Sequence, residues 1–451
     1  MGAAASLPQP TERPLREQPL RKRPWRLAVA WLAFLAPFFY LTYGFSNWAA
    51  SLRGDVPALV YAWEAHIPFW AWTILPYWSI NAFYGLSFFA CTSADELNAH
   101  GRRLVTAQLI AVACFLAFPL RFTFPQPETQ GIPGFLFTVL TGFDKPFNQA
   151  PSLHIALLVI LWDLYARVVP AGSRALLHAW FALIGLSVLT TYQHHFVDVP
   201  TGALLGFVCL WAWPLQGSSP LARAGLAFDP RRRRLAAIYA VAGLVPAALA
   251  LWIGGVAAWL FYPAVSLGLI AINYAFLGPA GFQKGRDGAL SPAARVLLAP
   301  YLLGAWINSR LWTRRDPDPI AIAAGIYLGR IPSRMDGTGQ SYLRIVDVCA
   351  ELSSGSPAGL RTFPMLDLVA PDADTLRAAA DAVEEARASG PVLVCCALGY
   401  ARSAAVVAAW LLRTGRARTA RDAAARILAA RPAARLSREV LATLATLERA
   451  P

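Results

Sequence analysis

Long apolar runs constrain this chain more than any other feature of its sequence. A membrane-spanning helix needs about 20 predominantly apolar residues, and most of the runs approach or exceed that length. The candidate spans lie near residues 27–48, 68–91, 104–120, 154–170, 175–193, 199–215, 235–253 and 256–277. We therefore predict an all-α polytopic membrane helix bundle of eight spans, to within one pair, whose last two spans form a hairpin at Gly254-Gly255.

The composition agrees with a membrane protein and excludes two other classes. The 451 residues are 57% hydrophobic and only 15% charged, whereas soluble domains are about 45–50% apolar and about 25% charged. The apolar content also excludes a disordered polycation, despite the net charge of +14. We therefore expect no nucleic-acid partner and interpret the arginines as signals of membrane topology.

The arginines predict the orientation of the spans. Cytosolic loops of membrane proteins carry an excess of Lys and Arg. Basic residues between the spans or at their ends fall on the same side as the Arg-rich N-terminal tail, at Arg102, Arg103, Arg167, Arg174, Arg223 and positions 231–234. This pattern predicts a bacterial inner-membrane protein with both termini in the cytosol and the 121–153 loop outside.

The sequence pattern divides the chain into five parts. They are a disordered basic cytosolic tail (1–26), a six-span part (27–216), a basic loop with a two-span hairpin (217–277), an interfacial helix and linker (278–317), and a cytosolic α/β domain (318–451). The interfacial helix is expected at 290–312, because that apolar stretch carries arginines and a proline. In the last part, short apolar strands alternate with amphipathic helices, which is typical of α/β layer folds.

Polar residues interrupt the apolar pattern at three places on the predicted outer side. His154 starts the fourth span, His194 and Asp198 lie between the fifth and sixth, and Arg121 and Lys145 lie in the outer loop. At helical spacing, Asp198 would share a face with His194 and fix the tautomer of its imidazole. A second histidine can protonate a leaving alkoxide, and basic side chains neutralise phosphoryl oxygens. These residues predict phosphoryl transfer through a phosphohistidine.

The sequences Pro-Ser-Leu-His (151–154) and His-x3-Asp (194–198) resemble motifs of the type-2 phosphatidic acid phosphatase superfamily, in particular its inositol phosphorylceramide and sphingomyelin synthase-like branch. The resemblance covers about residues 27–216. It implies a His194 nucleophile, an Asp198 orienting carboxylate, a His154 general acid, and phospholipid or sphingolipid-type substrates. Arg121 and Lys145 remain weaker phosphate-binding candidates, since the superfamily's first motif is absent. His195 is the rival nucleophile, at a spacing one residue shorter.

A second group of reactive residues lies in the α/β domain. Cys396 and Arg402 frame a Cys-x5-Arg-Ser sequence between an apolar strand and a helix. A turn at such a place directs backbone N–H groups into an anion site, and the helix dipole favours a thiolate. Arg402 can hold two phosphate oxygens, Gly399 permits the tight turn, and Ser403 can donate to the sulfur. The pattern predicts phosphate chemistry through a phosphocysteine.

This domain resembles the dual-specificity branch of the protein tyrosine phosphatase superfamily, across about residues 318–449. Here Cys395 replaces the histidine that usually precedes the cysteine. The resemblance implies a general acid on a loop about thirty residues earlier, where Asp367 lies, with Asp372 and Asp374 as rivals at shorter spacing. Neither chemistry requires a metal ion or another cofactor.

The sequence therefore predicts a multi-domain, bifunctional membrane enzyme. A site at the outer face would cleave or transfer phospholipid headgroups, and the cytosolic domain would act as a Cys-x5-Arg phosphatase. Two alternatives stay open. One is a membrane-anchored protein tyrosine/serine phosphatase, acting on a phosphoprotein, whose helical part is mainly an anchor. The other is a membrane scaffold without catalysis, which the intact reactive residues argue against.

Overall fold

The computed structural model describes residues 23–215, 217–332, 344–354 and 359–448. Most of the predicted tail at 1–26 lies outside these ranges. The N-terminal two thirds is helical, and its α-helices are α1 (Trp25–Ser51), α2 (Ile74–Ala90), α3 (Ala94–Ala117), α4 (Gly131–Phe143), α5 (Leu153–Val168), α6 (Arg174–Thr190), α7 (Asp198–Ala212), α8 (Pro230–Ile253), α9 (Phe261–Ile272), α10 (Pro292–Leu297) and α11 (Ala299–Trp312).

Each of the eight predicted spans overlaps one of these helices. Four helical segments are long and apolar enough to cross a membrane, at Trp25–Ser51, Ala171–Thr190, Pro230–Ile253 and Gly255–Phe282. Large apolar side chains on them are exposed, including Leu41 (73%), Leu251 (69%) and Trp252 (83%). Such exposure suits contact with lipid rather than water. The full count of eight spans stays a prediction.

Two features of the helical part differ from the sequence-based expectation. The predicted outer loop at 121–153 contains a helix, α4, which is not among the predicted spans because its thirteen residues are too few to cross a membrane. The predicted helix at 290–312 is two helices, α10 and α11, divided at Leu298 just before Pro300. Proline is tolerated in the first turn of a helix but not in its interior, so α11 starts there.

The C-terminal part is an α/β domain, as predicted. Its sheet contains β1 (Ile320–Ala323), β2 (Ile326–Arg330), β3 (Arg344–Cys349), β4 (Leu360–Met365) and β5 (Val392–Cys396), in the order β1-β2-β5-β3-β4. β1 is antiparallel to β2, and the other pairs are parallel. Its helices are α12 (Ala373–Arg387), α13 (Arg402–Arg413), α14 (Ala420–Ala430) and α15 (Arg438–Ala445).

The middle of this domain is built by β5 and α13. All five residues of β5 are buried, as expected for the central strand of a sheet covered on both faces. α13 is buried from Arg402 to Leu412, including the whole of Trp410. The chain passes directly from this strand into this helix, so the loop between them is fixed at both ends.

Candidate active sites

The segment from the last residue of β5 to the first residue of α13, residues 396–402, is called the cysteine loop below. Gly399 lies in it at a φ of +75°. A Cβ atom at this position would come within 2.3 Å of the backbone carbon of Gly329 in β2. Because the loop packs directly on a neighbouring strand in a left-handed conformation, only glycine fits there.

The Cys396 sulfur is buried and faces hydrogen-bond donors. The Ser403 hydroxyl donates to Sγ at 3.2 Å, and the Gly399 backbone N–H donates at 3.3 Å. The side chain is only 2% exposed. Donors at the N-terminus of α13 stabilise negative charge, so the loop can hold a thiolate or a phosphoryl group.

Arg402 begins α13 and is held by three groups. Its Nη1 and Nη2 donate to the two carboxylate oxygens of Glu351 at 2.7 and 2.6 Å. Nη1 also donates to the Met365 carbonyl oxygen at 3.0 Å, and Nη2 lies 3.2 Å from Oδ1 of Asp367. This set of contacts fixes the guanidinium beside the cysteine loop, where it can bind phosphate oxygens.

The charge of Glu351 depends on this contact. Burial opposes the charged form, but the Arg402 guanidinium and its hydrogen bonds hold the pKa of the Glu351 carboxyl below its usual value. From the sequence, Glu351 is interpreted as a residue that stabilises the domain rather than as a site residue, because no local pattern links it to Arg402. The only local signal is an acidic residue two positions after Cys349, at the end of an apolar strand.

The three candidate general acids occupy different environments. Asp367 follows β4 and contacts Arg402 while keeping about a third of its side chain exposed. Asp372 caps α12 by accepting the Thr375 N–H at 2.7 Å, and Asp374 is 89% exposed beside Arg377. Of the three, the contacts place Asp367 at the cysteine loop and give the other two roles in α12.

A pocket of about 290 Å³ opens beside Arg402. Its walls come from the loop after Asp367 and from residues 435–440, and one wall comes from Arg231 in the first turn of α8. Arg435 and Ser437 also line it. The pocket therefore combines basic side chains with the end of a helix that is long and apolar enough to cross a membrane.

His194 and Asp198 meet in the helical part, though not in the predicted way. Nδ1 of His194 lies 3.2 Å from Oδ2 of Asp198. Asp198 is the first residue of α7, and His194 lies in the loop that precedes this helix. The two side chains therefore do not lie on one face of a shared helix. The carboxylate accepts a second bond from the His195 backbone N–H at 3.0 Å, which fixes the turn.

His195, the rival nucleophile, has both ring nitrogens engaged. Nε2 accepts the Thr123 backbone N–H at 3.2 Å, and Nδ1 therefore donates to Glu64 at 3.0 Å. Glu64 is 1% exposed and also accepts the Phe196 backbone N–H. These bonds make His195 a part of the framework and leave it no free nitrogen.

His154 lies on α5, next to the His194 site. Its ring stacks on Tyr77 at 4.2 Å between centroids, and its buried Nε2 has no hydrogen-bond partner among the described residues. Tyr77 and His194 both line a pocket of about 250 Å³. The starts of α5 and α7 are joined by a bond from the Ser152 N–H to the Asp198 carbonyl oxygen at 3.1 Å.

The two phosphate-binding candidates of the predicted outer loop, Arg121 and Lys145, are separated. Lys145 lines the 250 Å³ pocket, whereas Arg121 does not. The Arg121 backbone N–H bonds to the Pro57 carbonyl oxygen instead. The pocket also contains Asp144, Gln126 and Gln149, which no sequence motif marks because they lie in an irregular segment of the chain.

In the part of the chain that the structure describes, no group of three or more His, Cys, Asp or Glu side chains is arranged to hold a metal ion. All six cysteines are free thiols.

No protein-family model matches the sequence, and no curated protein matches it significantly.

Several solved phosphatase structures are similar to about 30% of the chain. Tk-PTP in its active form is 25% identical, with 30% of this chain and 97% of that one covered and a TM-score of 0.27. Human DUSP28 is 27% identical (29% and 93% covered, TM-score 0.26). PTPMT1, crystallised in complex with PI(5)P, is 18% identical (29% and 93% covered, TM-score 0.25). TM-scores this far below 0.5 support no functional inference, so the function is inferred from the site geometry.

Proposed function

We propose that the C-terminal domain hydrolyses phosphate monoesters through a phosphocysteine on Cys396. The observation that carries this proposal is the Cys396 sulfur, which accepts hydrogen bonds from Ser403 and Gly399 beside the fixed guanidinium of Arg402. A thiolate there is a nucleophile at the N-terminus of a helix, and phosphate oxygens are bound by backbone N–H groups and arginine.

The reaction has two steps. The Cys396 thiolate attacks phosphorus, an S–P bond forms, and the bond to the leaving oxygen breaks while Asp367 gives that oxygen its proton. A water molecule then attacks phosphorus, Asp367 takes a proton from it, and the S–P bond breaks to return the thiolate. In this second step the Ser403 hydroxyl donates a hydrogen bond to the departing Cys396 sulfur and stabilises the negative charge that develops on it.

The favoured substrate is a phosphate monoester on a membrane lipid. The pocket beside Arg402 is lined by Arg231, which belongs to the first turn of α8. If α8 spans the membrane, a lipid headgroup in the leaflet at its N-terminal end can reach this pocket without leaving the membrane. Two arginines, Arg231 and Arg435, can bind the anionic oxygens of that headgroup. The alternative substrate is a phosphoprotein, with the helical part mainly an anchor.

We further propose that the helical part carries a second phosphoester site, as the motif resemblance implies. Asp198 holds the tautomer of His194 that leaves Nε2 free to attack phosphorus, and His154 can protonate the leaving oxygen. The full engagement of His195 favours His194 as the nucleophile. Lys145 and the amide side chains of the pocket would bind the polar headgroup.

The test compares phosphate release by the purified full chain from lipid phosphates in vesicles and from phosphopeptides. In a His194→Ala background, which silences the second proposed site, Cys396→Ser should abolish the release of inorganic phosphate. Substitution of its buried neighbour, Cys395→Ser, in the same background should not. Release that persists in the Cys396→Ser/His194→Ala variant would refute the cysteine assignment. A preference for phosphopeptides over vesicle-borne lipids would replace the lipid substrate with the alternative one.

A further inference from the structure

Three buried side chains of the helical part donate hydrogen bonds to the three loops of the cysteine site. Tyr274, Lys284 and Ser309 are called the bracing residues below. Tyr274 lies in the helical turn after α9, Lys284 in the loop before α10, and Ser309 in α11. Each of them donates to at least one backbone carbonyl oxygen, and Lys284 also pairs with the Asp347 carboxylate, so they hold the backbone path of each loop.

The loop that carries Asp367 is braced by Tyr274. The Tyr274 hydroxyl donates to the Asp367 carbonyl oxygen at 3.1 Å, and Tyr274 is only 1% exposed. The next residue, Leu368, has a φ of +59° and is 54% exposed. A left-handed conformation is unfavourable for leucine, so this loop needs an outside contact to keep its shape.

The loop that carries Glu351 is braced by Lys284. The Lys284 ammonium donates to the Cys349 and Leu352 carbonyl oxygens, both at 2.6 Å, and pairs with Asp347 at 2.5 Å. Both charged side chains of this pair are fully buried. Since Glu351 lies between the two bonded carbonyls and holds Arg402, Lys284 fixes the orientation of the phosphate-binding guanidinium.

The cysteine loop itself is braced by Ser309. Its hydroxyl donates to the Ala397 carbonyl oxygen at 2.5 Å, directly after Cys396, and the residue is fully buried. All three loops that form the site therefore depend on residues outside the α/β domain. An isolated α/β domain would have the reactive residues and none of these contacts.

We propose that Tyr274 and Lys284 are positioning residues of the cysteine site, so that the helical part sets the activity of the phosphatase. This inference rests on the proposed function. Tyr274 acts through Asp367 and controls proton donation to the leaving group. Lys284 acts through Glu351 and controls the grip of Arg402 on phosphate. The two residues should therefore give different kinetic signatures.

Tyr274→Phe removes only the hydroxyl, and its effect should depend on the leaving group. A general acid matters when the leaving oxygen is basic and is dispensable when it is not. We expect kcat/KM of the full chain to fall about 2- to 10-fold for phenyl phosphate, the value of one hydrogen bond, and to stay unchanged for 2,4-dinitrophenyl phosphate. Tyr165→Phe is the matched control, because it removes a hydroxyl-to-carbonyl bond within the helical part.

Lys284→Met should lower kcat/KM about 10- to 100-fold for both esters alike, because the phosphate group must be bound whatever the leaving group is. The variant also leaves the Asp347 carboxyl alone in a buried place, which can impair folding. Lys284→Met/Asp347→Asn removes that charge, while the asparagine oxygen can still accept the Cys349 N–H now bonded to Asp347. The double variant should recover the wild-type melting temperature and keep the kinetic defect.

These outcomes separate the inference from the proposed function. If the wild-type chain has no Cys396-dependent activity, the proposed function is wrong. If it is active but Tyr274→Phe changes both esters equally or neither, Tyr274 does not position the acid. If the double variant regains activity together with stability, Lys284 is a folding residue only, and the inference about it fails.

Discussion

Glu351 and Arg402 form a buried, bidentate ion pair with N–O distances of 2.6 and 2.7 Å. The two residues are far apart in the sequence, one after β3 and the other at the start of α13. Removal of one partner of such a pair leaves the other charge buried and uncompensated, which costs about 3–5 kcal/mol. The pair thus links the stability of the α/β domain to the phosphate-binding role that we propose for Arg402.

The pair predicts an acid dependence of stability. The folded-state pKa of Glu351 lies below its unfolded value of 4.5. A carboxyl of this kind stabilises the fold at pH values above the unfolded pKa, and the contribution is lost as the pH falls through the folded pKa. Glu351→Gln should therefore be less stable than wild type near neutral pH by a constant amount, and the difference should shrink below about pH 4.5.

Hydrogen exchange of the α13 backbone amides, compared between wild type and Glu351→Gln over a pH series, measures this difference. Carboxyls remote from Arg402 contribute equally to the stability of both proteins, so the informative quantity is the change with pH in the stability difference between them. A gap that stays constant down to the acid limit would show that Glu351 does not titrate with the fold.

Arg231 provides a test of the lipid substrate. If it binds the headgroup at the pocket beside Arg402, Arg231→Ala should lower kcat/KM about 10-fold for a lipid phosphate in vesicles. A small aryl phosphate, which does not reach Arg231, should be hydrolysed as before. Arg234→Ala is the matched control, since Arg234 lies in the same helical turn, is exposed and does not line the pocket. Equal effects of the two substitutions would point to general surface charge instead.

The sequence predicted the local parts of this architecture well. The fully apolar strand, the glycine in the turn and the following helix anticipated β5, the cysteine loop and α13, because each depends on neighbours in sequence. Asp367 was chosen by its distance from Cys396 along the chain, and the structure places it beside Arg402.

Contacts between segments that are distant along the chain could not be predicted from the sequence. Glu351 reaches Arg402, Glu64 reaches His195, and Lys284 reaches Asp347 only after folding. No periodicity or motif marks them, since each pair joins different elements. The helical spacing of His194 and Asp198 suggested the right contact for the wrong reason, because a turn brings the two together.

Asp198 provides a test of the second site. Asp198→Asn keeps an acceptor for the His195 N–H but can stabilise the wrong tautomer of His194. We expect release or transfer of lipid headgroups to fall by about 10²- to 10⁴-fold. Cys396-dependent phosphate release by the same preparation should be unchanged, which controls for folding. If headgroup chemistry persists, the carboxylate does not serve a catalytic His194.

The most direct test of the cysteine mechanism is to locate the covalent phosphoryl group. Ser403 donates to the Cys396 sulfur at 3.2 Å, so Ser403→Ala should slow the breakdown of the phosphocysteine and allow it to accumulate. The measurement is mass spectrometry of the Ser403→Ala/Cys395→Ser variant, quenched with acid during turnover. The Cys395→Ser substitution leaves Cys396 as the only cysteine of its peptide. The mechanism predicts one phosphoryl group on Cys396. Turnover of this variant with the phosphoryl group on another residue would contradict it.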